Sequence, residues 1–232
     1  MKHNEVRVEI IPLTKMDPEV YYTAIAGVHI GEIHHGVLPL LGESYLSKLY
    51  FELASLPESG VWAAINSNRV VGFLAGSSDI RRSYRSVISR MWPSLVVFGL
   101  RSARDLRILR KLLTVLIYPF QQPMLTSHIV EECNDVNSEI LAIAVSPAYQ
   151  RYGIGQLLIK RFERGLQQRN IRGYYRVATN LAEPNSNAFY RNVGFIPCHQ
   201  SKHNDLILQI YVKKVSEAGA MGMIRGDAQY VQ

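Results

Sequence analysis

The chain has 232 residues, of which 47% are hydrophobic and 19% are charged. This balance is typical of a globular protein with a substantial core, and it excludes an intrinsically disordered chain. The net charge of +7 is unevenly spread, since nine basic residues and one acidic residue lie between Arg81 and Lys111. Such a basic segment can bind nucleic acid, an anionic membrane surface or a phosphorylated ligand.

No apolar run approaches the roughly 18 residues of a transmembrane helix, and the polar first residues lack the apolar centre of a signal peptide. The two cysteines, Cys133 and Cys198, are too few for a disulfide scaffold and are expected to be free thiols. These features together predict a cytoplasmic protein.

Hydrophobic periodicity and turn residues predict an alternating series of strands and helices. Asp17 and Ser44 are predicted to cap the first two helices. In chain order the expected elements are a strand at 5–11, helices from 17 to about 33 and from 44 to about 53, a hairpin of strands at 61–65 and 69–77, a basic helical segment at 81–130, a strand at 139–145, a helix at 155–168, a strand at 174–180, a short helix at 186–193 and a strand at 205–213. We expect one domain at 1–215, with the basic segment as an insertion and with 216–232 as a flexible tail.

A turn with two glycines lies between the buried strand at 139–145 and the helix that follows. Pro147 helps to end the strand, while Gly153 and Gly155 let the backbone approach an anion closely. The free N–H groups of the turn and of the first helical turn then favour a pyrophosphate, and Arg151 can add charge at the rim. The alternative is a helix-start turn whose glycines serve only tight packing.

The stretch ILAIAVSPAYQRYGIGQLLI resembles the acetyl-CoA-binding signature of the GNAT acetyltransferase superfamily, because Gln150 to Gly155 match the family's Gln/Arg-x-x-Gly-x-Gly pattern. A second family feature, NSNAFYRNVGF, follows at the expected distance with Asn187, Tyr190 and Gly194 in place. The resemblance implies an α/β (α+β) fold in which helices flank a mixed central sheet. The segment at 81–130 is longer than the family's usual link between its third and fourth strands.

The resemblance also implies the chemistry of a site. The strand before the turn is expected to splay from its neighbour, so that its backbone binds pantetheine and stabilises an oxyanion. Tyr190 matches the family's general acid, with a core aromatic as the alternative, and Asn187 is expected to hydrogen-bond the cofactor or a tyrosine. The other expected cofactor-binding residues are Ile143, Ala144, Val145, Gln150, Arg151, Tyr152, Gly153, Ile154, Gly155 and Gln156.

The general base stays open between a carboxylate and two histidines. Glu139 begins the buried strand, where many relatives carry a carboxylate, and its pKa can be raised at the mouth of a dry cleft. His34 and His35 lie in the loop that shapes the acceptor pocket in the family, and imidazole titrates near neutrality. Each of the three residues can equally be a solvated surface group. No metal is expected, because no histidine or cysteine has neighbours at a metal-ligand spacing.

The expected function is acetyl-CoA-dependent transfer of an acetyl group to a primary amine of a small molecule, by direct attack in a ternary complex. Residues 34–54 resemble acceptor-side helices of bacterial GNAT proteins from polysaccharide and amino-sugar gene clusters, which suggests an amino sugar or a nucleotide-linked sugar. The alternatives are a protein or peptide N-acetyltransferase and a non-catalytic acyl-CoA-binding module.

Three roles are open for the arginines of the basic segment. They can hold the diphosphate of a nucleotide-linked sugar, or they can form the solvated face of a helical pair. Together with the apolar residues between them, they can also contact a membrane surface through 81–120. A homodimer is open as well, and no nucleic-acid partner is expected, because no motif for one is recognisable.

Overall fold

A mixed sheet of eight strands forms the centre of the protein in the computed structural model, which describes residues 6–34, 36, 38–101, 136–203, 206–216 and 228–231. The strands are β1 (Val6–Leu13), β2 (Ser59–Asn66), β3 (Arg69–Ser77), β4 (Ser138–Val145), β5 (Tyr174–Asn180), β6 (Ile196–His203), β7 (Leu206–Lys214) and β8 (Ala228–Val231). The helices are α1 (Glu19–Glu32), α2 (Glu43–Ala54), α3 (Ile80–Arg101), α4 (Ile154–Gln168) and α5 (Pro184–Asn192), with short 3₁₀ turns at Leu38–Leu41 and Pro147–Tyr149.

The spatial order of the strands is β6-β7-β5-β4-β3-β2-β1-β8. Every pair of neighbours is antiparallel except β4 and β5, which run parallel and are joined through α4. A parallel pair needs a crossover connection, and a helix commonly provides it. The predicted mixed sheet flanked by helices is therefore confirmed.

Each face of the sheet has its own hydrophobic core. On one face, α4 packs against the sheet through Leu158, Phe162 and their neighbours. On the other face, α1, α2 and the first half of α3 cover β2 and β3, with Tyr50 and Phe73 at the centre of the cluster. The alternation of side chains along a strand accounts for this division, because Leu74 points to the first core and Phe73 to the second.

The hairpin of β2 and β3 is confirmed, and its two turn residues, Ser67 and Asn68, have φ angles of 46° and 64°. The two predicted helix caps are wrong. The Asp17 carboxylate accepts hydrogen bonds from the backbone N–H and the hydroxyl of Thr14, at 2.7 and 2.9 Å. At α2 the capping position is Gly42, with a φ of 84°, so Ser44 lies already inside the helix.

The described part of the basic segment forms α3, and residues 102–130 of that segment lie outside the described residues. Two of its arginines contact acidic side chains, one on α2 and one in the connection between α2 and β2. Nε of Arg82 lies 3.7 Å from Glu58, and Nη1 of Arg90 lies 3.2 Å from Glu52. Within the described ranges, no helix combines the length and the apolar character needed to span a bilayer.

The C-terminal third differs from the expected order in two strands. β6 is polar in sequence and gave no strand signal, yet it pairs with β7 over most of its length. β8 falls within the tail expected to be flexible, and it pairs with the outer edge of β1. Cys198 on β6 is disulfide-bonded, so the expected free thiol at this position is wrong. Cys133 lies outside the described residues, and the cytoplasmic location, which drew partly on free thiols, stays a prediction.

Candidate active site

β4 diverges from β5 in the middle of the sheet. The two strands pair over Ser138 to Ile140 of β4. Directly afterwards Leu141 is an extra residue in the pairing of β4 with β3, where Ala75 and Gly76 are consecutive but their partners are not. A bulge bends its strand and increases the local twist. The bulge at Leu141 therefore turns β4 away from β5 and opens a cleft between them.

The backbone beyond the bulge lines this cleft. Ile143 and Val145 are half-buried although β4 is a central strand, and Ala144 is buried. On one side this backbone stays paired with β3, where Phe73 lies opposite Ala144. On the other side, β5 no longer takes its N–H and C=O groups. A ligand with amide groups can therefore pair with the edge of β4 here, as a peptide strand would.

The loop from Gln150 to Gly153 ends at a helix whose first amides are available to a ligand. Arg151 has a φ of 67°, and Gly153, the capping residue of α4, has a φ of 75°. No side chain caps α4, and the first N–H groups of a helix have no acceptor within the helix. The N–H groups of Ile154, Gly155 and Gln156 thus lie at the positive end of the helix dipole, where an anion is favoured.

Gly155 is required by packing. A Cβ at this position would lie 2.9 Å from Cζ of Phe189 on α5, a distance that real Cβ atoms essentially never show. The missing side chain therefore lets α4 start directly against the ring. Gly155 therefore serves packing, while Gly153 supplies a left-handed backbone conformation. Binding of a pyrophosphate by this turn stays a prediction.

Gln150 connects the loop to the cleft. Its side-chain amide donates to the carbonyl oxygen of Val145 at 2.8 Å and to a carboxylate oxygen of Glu32 at 3.4 Å. The end of α1 therefore lies beside the end of β4. Among the other loop residues, Arg151 and Gln156 are exposed, Tyr152 is about one-third exposed, and the Ile154 side chain belongs to the core.

Tyr190 on α5 lies in an aromatic cluster under the cleft. Its ring contacts those of Phe189, Phe195 and Tyr211 at centroid distances of 5.3 to 5.9 Å. Burial raises the pKa of its hydroxyl well above the usual value, so the group stays protonated at neutral pH. A protonated hydroxyl is what a general acid needs, and the same contacts also make Tyr190 part of the core.

Asn187 holds the connection between β5 and α5. Its side-chain amide donates to the carbonyl oxygens of Asn180 and Glu183, at 2.9 and 2.6 Å. Its carbonyl oxygen accepts from the hydroxyl of Tyr211 at 2.9 Å. The tyrosine that it contacts is therefore Tyr211 and not Tyr190. The side chain is buried and engaged at both ends, which makes it a positioning residue for α5.

Glu139 is buried at the start of β4 and forms an ion pair with Arg176 on β5, whose Nε lies 2.8 Å from its carboxylate. The residues are partners in the parallel pairing of the two strands, just below the point where the cleft opens. The charge of Arg176 also acts on His199 on β6, because burial and then this charge lower the pKa of its imidazole. Neither residue was singled out from the sequence. Strand pairing brings Arg176 to Glu139, whereas β6 lies three strands from β4 in the sheet.

Of the two loop histidines, only His34 lies among the residues that the structure describes. His34 is exposed, two residues beyond the end of α1, and His35 lies outside the described residues. A third histidine, His29, was not singled out from the sequence and is buried on the inner face of α1. The signal was present, because the inner face of α1 follows the helical spacing of Tyr22, Ile25 and Ala26, and His29 comes next on it.

His29 and Tyr50 form a buried polar pair between α1 and α2. Nδ1 of His29 lies 2.5 Å from the Tyr50 hydroxyl, and the imidazole stacks on the ring of Phe73 at 6.1 Å. Burial lowers the pKa of His29 to about 4, so the ring is neutral at pH 7. Its other nitrogen, Nε2, is buried with no hydrogen-bond partner among the described residues.

Residues 125–197 match the model of the acetyltransferase (GNAT) domain. The fold is similar to a crystal structure from Desulfovibrio desulfuricans assigned to the GNAT family of acetyltransferases, with a TM-score of 0.55, 11% identity and coverage of 90% of this chain and 99% of that chain. A GNAT-family acetyltransferase from Streptococcus pneumoniae has a TM-score of 0.52 and 11% identity, with coverage of 90% of this chain and 99% of that chain. The ribosomal-protein-S18-alanine N-acetyltransferase from Escherichia coli has a TM-score of 0.50 and 13% identity, with coverage of 92% of this chain and 97% of that chain. The sequence matches no curated protein.

Proposed function

We propose that this chain, which carries an acetyltransferase (GNAT) domain at residues 125–197, transfers the acetyl group of acetyl-CoA to a primary amine of a small molecule. The domain match supports an acyltransferase, and acetyl-CoA is the acetyl donor of GNAT acetyltransferases. The observation that carries the proposal is the junction of β4 and α4. There, an open strand edge leads directly into an uncapped helix N-terminus.

The two parts of the junction suit the two parts of coenzyme A. Amide N–H groups between Arg151 and Gln156 bind the pyrophosphate, because a helix N-terminus favours a multiply charged anion. The pantetheine arm carries two amide groups and lies along the edge of β4 at Ile143 to Val145, where it takes the place of a paired strand. This arrangement directs the thioester toward the bulge at Leu141.

The reaction we propose is direct attack in a ternary complex. The amine nitrogen attacks the thioester carbonyl carbon, the C–S bond breaks, and the amine proton passes to a base. A backbone N–H of β4 stabilises the oxyanion, and the hydroxyl of Tyr190 protonates the leaving thiolate. Glu139 is the base we propose, directly or through water. Its pairing with Arg176 holds it beside the cleft.

For the acceptor we propose an amino sugar, ahead of a nucleotide-linked sugar. The nucleotide form needs cations for its diphosphate, and the basic segment was the expected source. Arg82 and Arg90 of that segment contact Glu58 and Glu52, which favours a solvated helical face for these two arginines. The amino-sugar assignment rests on the resemblance of residues 34–54.

An acceptor screen tests the function. The full chain is incubated with acetyl-CoA and with glucosamine, a nucleotide-linked amino sugar, spermidine or a peptide with a free N-terminus, and thiol release is followed while calorimetry measures acetyl-CoA binding. Turnover of the sugars is the expected result. Turnover of the peptide alone indicates a peptide N-acetyltransferase, and binding without turnover of any amine indicates a binding module. Absence of acetyl-CoA binding contradicts the proposal as a whole.

A loop variant tests acetyl-CoA binding, and a variant at the cleft is its matched control. Gly153 has a φ of 75°, and a β-branched residue is strained in that region. The Gly153→Val variant is expected to weaken acetyl-CoA binding, because the loop amides no longer converge. Val145→Ala, at the cleft, leaves the loop backbone unchanged and is expected to keep the pyrophosphate contacts.

A further inference from the structure

The buried pair of His29 and Tyr50 lies outside the chemistry described so far, and it contains an unsatisfied polar atom. Nε2 of His29 has no hydrogen-bond partner among the described residues, although the side chain is 2% exposed. Leaving a buried polar group unpaired is unfavourable, and an apolar ring of similar shape would avoid that penalty. An unpaired atom of this kind calls for a ligand or another explanation.

The hydrogen bond to Tyr50 determines which form of the imidazole is present. If the Tyr50 hydroxyl donates to Nδ1, its donor is satisfied and Nε2 carries the proton. The reverse arrangement would leave the buried hydroxyl with an unused proton, because it makes no other hydrogen bond among the described residues. The first arrangement therefore leaves one unpaired group, the Nε2–H donor of a neutral histidine.

The fold places this donor on the acceptor side of the proposed site. His29 stacks on Phe73, whose strand partner is Ala144 in the cleft. Tyr50, Phe73 and Ala144 belong to one cluster of packed side chains. One helical turn after His29, Glu32 contacts Gln150 of the pyrophosphate loop. The last turn of α1 thus runs from the loop to the strand that would carry the thioester.

We propose that His29, oriented by Tyr50, donates a hydrogen bond from Nε2 to an oxygen atom of the bound substrates, either the thioester carbonyl or an oxygen of the acceptor. The proposal rests on the acetyltransferase function proposed above and adds a residue to it. Nε2 is buried, so the proposal implies that binding of the substrates exposes this atom.

Three variants separate this role from a structural one. His29→Phe removes the donor but keeps a flat ring on Phe73. His29→Gln keeps an N–H donor at a similar reach. Tyr22→Phe is the matched control, because Tyr22 lies on the same buried face of α1, two turns earlier, and its hydroxyl donates to the carbonyl oxygen of Thr14 at 2.6 Å.

Each protein is assayed with acetyl-CoA and glucosamine, together with its melting temperature. We expect His29→Phe to lose on the order of 10- to 100-fold in kcat/KM and to melt at or above the wild-type temperature. His29→Gln is expected to recover part of that loss. Tyr22→Phe is expected to melt lower with kcat/KM unchanged. A fall in kcat indicates the thioester oxygen, and a rise in the KM for the amine indicates the acceptor oxygen.

The outcome is decisive even if glucosamine is not the acceptor. NMR spectra of the ¹⁵N-histidine-labelled chain follow Nε2 of His29 during titration with acetyl-CoA, and a shift of that signal is expected. A wild-type protein that binds no acetyl-CoA contradicts the proposed function itself. With acetyl-CoA bound, the role of His29 is contradicted by wild-type turnover in His29→Phe. Where no amine reacts, it is contradicted by an Nε2 signal that shifts neither with acetyl-CoA alone nor with acetyl-CoA together with the amines of the acceptor screen.

Discussion

The first turn of α4 lies directly against the ring of Phe189, because position 155 has no side chain. A Cβ there would come within 2.9 Å of Cζ of Phe189. α5, which carries Phe189, also carries Tyr190. The glycine therefore sets the distance between the proposed pyrophosphate loop and the helix that holds the proposed general acid.

Gly155→Ala is expected to lower the free energy of unfolding by about 1–3 kcal/mol, the usual cost of overpacking, and to raise the KM for acetyl-CoA as α4 shifts. Denaturant unfolding and steady-state kinetics measure the two effects. Replacing Phe189 by Leu in the same chain is expected to restore part of both. Gly27→Ala is the control, since Gly27 is exposed in α1 with nothing within 4 Å, and we expect a gain of about 0.5–1 kcal/mol there. If Gly155→Ala keeps the wild-type stability and KM, the ring of Phe189 moves freely enough to accommodate the methyl group.

Glu139→Gln tests the proposed base. We expect kcat to fall by roughly 100-fold and the unfolding free energy to fall by about 1–3 kcal/mol, because Arg176 loses its charged partner. Glu163→Gln is the control. Glu163 is also a buried carboxylate, bonded to Lys213 at 2.9 Å and to Tyr175 at 2.6 Å, but it lies on α4 in the opposite core. This control is expected to lose stability and keep its kcat. If Glu139→Gln also keeps the wild-type kcat, Glu139 has only a structural role.

Tyr190→Phe removes one hydroxyl and keeps the ring contacts. If that hydroxyl protonates the thiolate, kcat is expected to fall by about 100-fold with little change in melting temperature. Burial raises the pKa of Tyr190, so ionisation of this group is not expected to reduce wild-type activity up to about pH 10. Tyr211→Phe, which loses a 2.9 Å bond to Asn187, is expected to cost about 1 kcal/mol without a comparable fall in kcat. Full activity of Tyr190→Phe would leave Tyr190 as a core aromatic.

The stability of the protein is expected to depend on pH through His29. Burial lowers its pKa in the folded state to about 4, while the unfolded value is about 6.5. Between these values the unfolded chain binds the proton more tightly, so stability falls as pH decreases from 6.5 toward 4. The expected loss between pH 7.5 and pH 5 is about 2 kcal/mol.

Urea unfolding at the two pH values measures this loss, and the His29→Phe variant is the reference. It is expected to lose about 2 kcal/mol less than the wild type over the same interval. His199, whose pKa is also lowered, is present in both proteins and changes the unfolding free energy of both in the same direction. Equal losses in the two proteins would show that a group other than His29 causes the pH dependence of stability.

Much of the fold was accessible from the sequence, including the strand, turn and helix that form the proposed cofactor site. The buried strand at β4, the two glycines and the helix of α4 follow one another along the chain, so the signals at Gln150 to Gly155 are local. The same holds for the hairpin between β2 and β3. Local dihedral preferences and hydrophobic periodicity depend on neighbours in sequence, and such elements are therefore predictable.

The tertiary structure alone decided which distant side chains meet. The pairing of β4 with β5 brought Arg176 to Glu139, and the packing of α1 on α2 brought His29 to Tyr50. It also showed that Asn187 contacts Tyr211 and that the polar strand β6 is held by β7. The three side-chain contacts join residues 20 or more positions apart, and their proximity depends on strand order and helix packing. The physical reason is that burial and hydrogen bonding act through space, whereas the patterns in a sequence report only the neighbourhood along the chain.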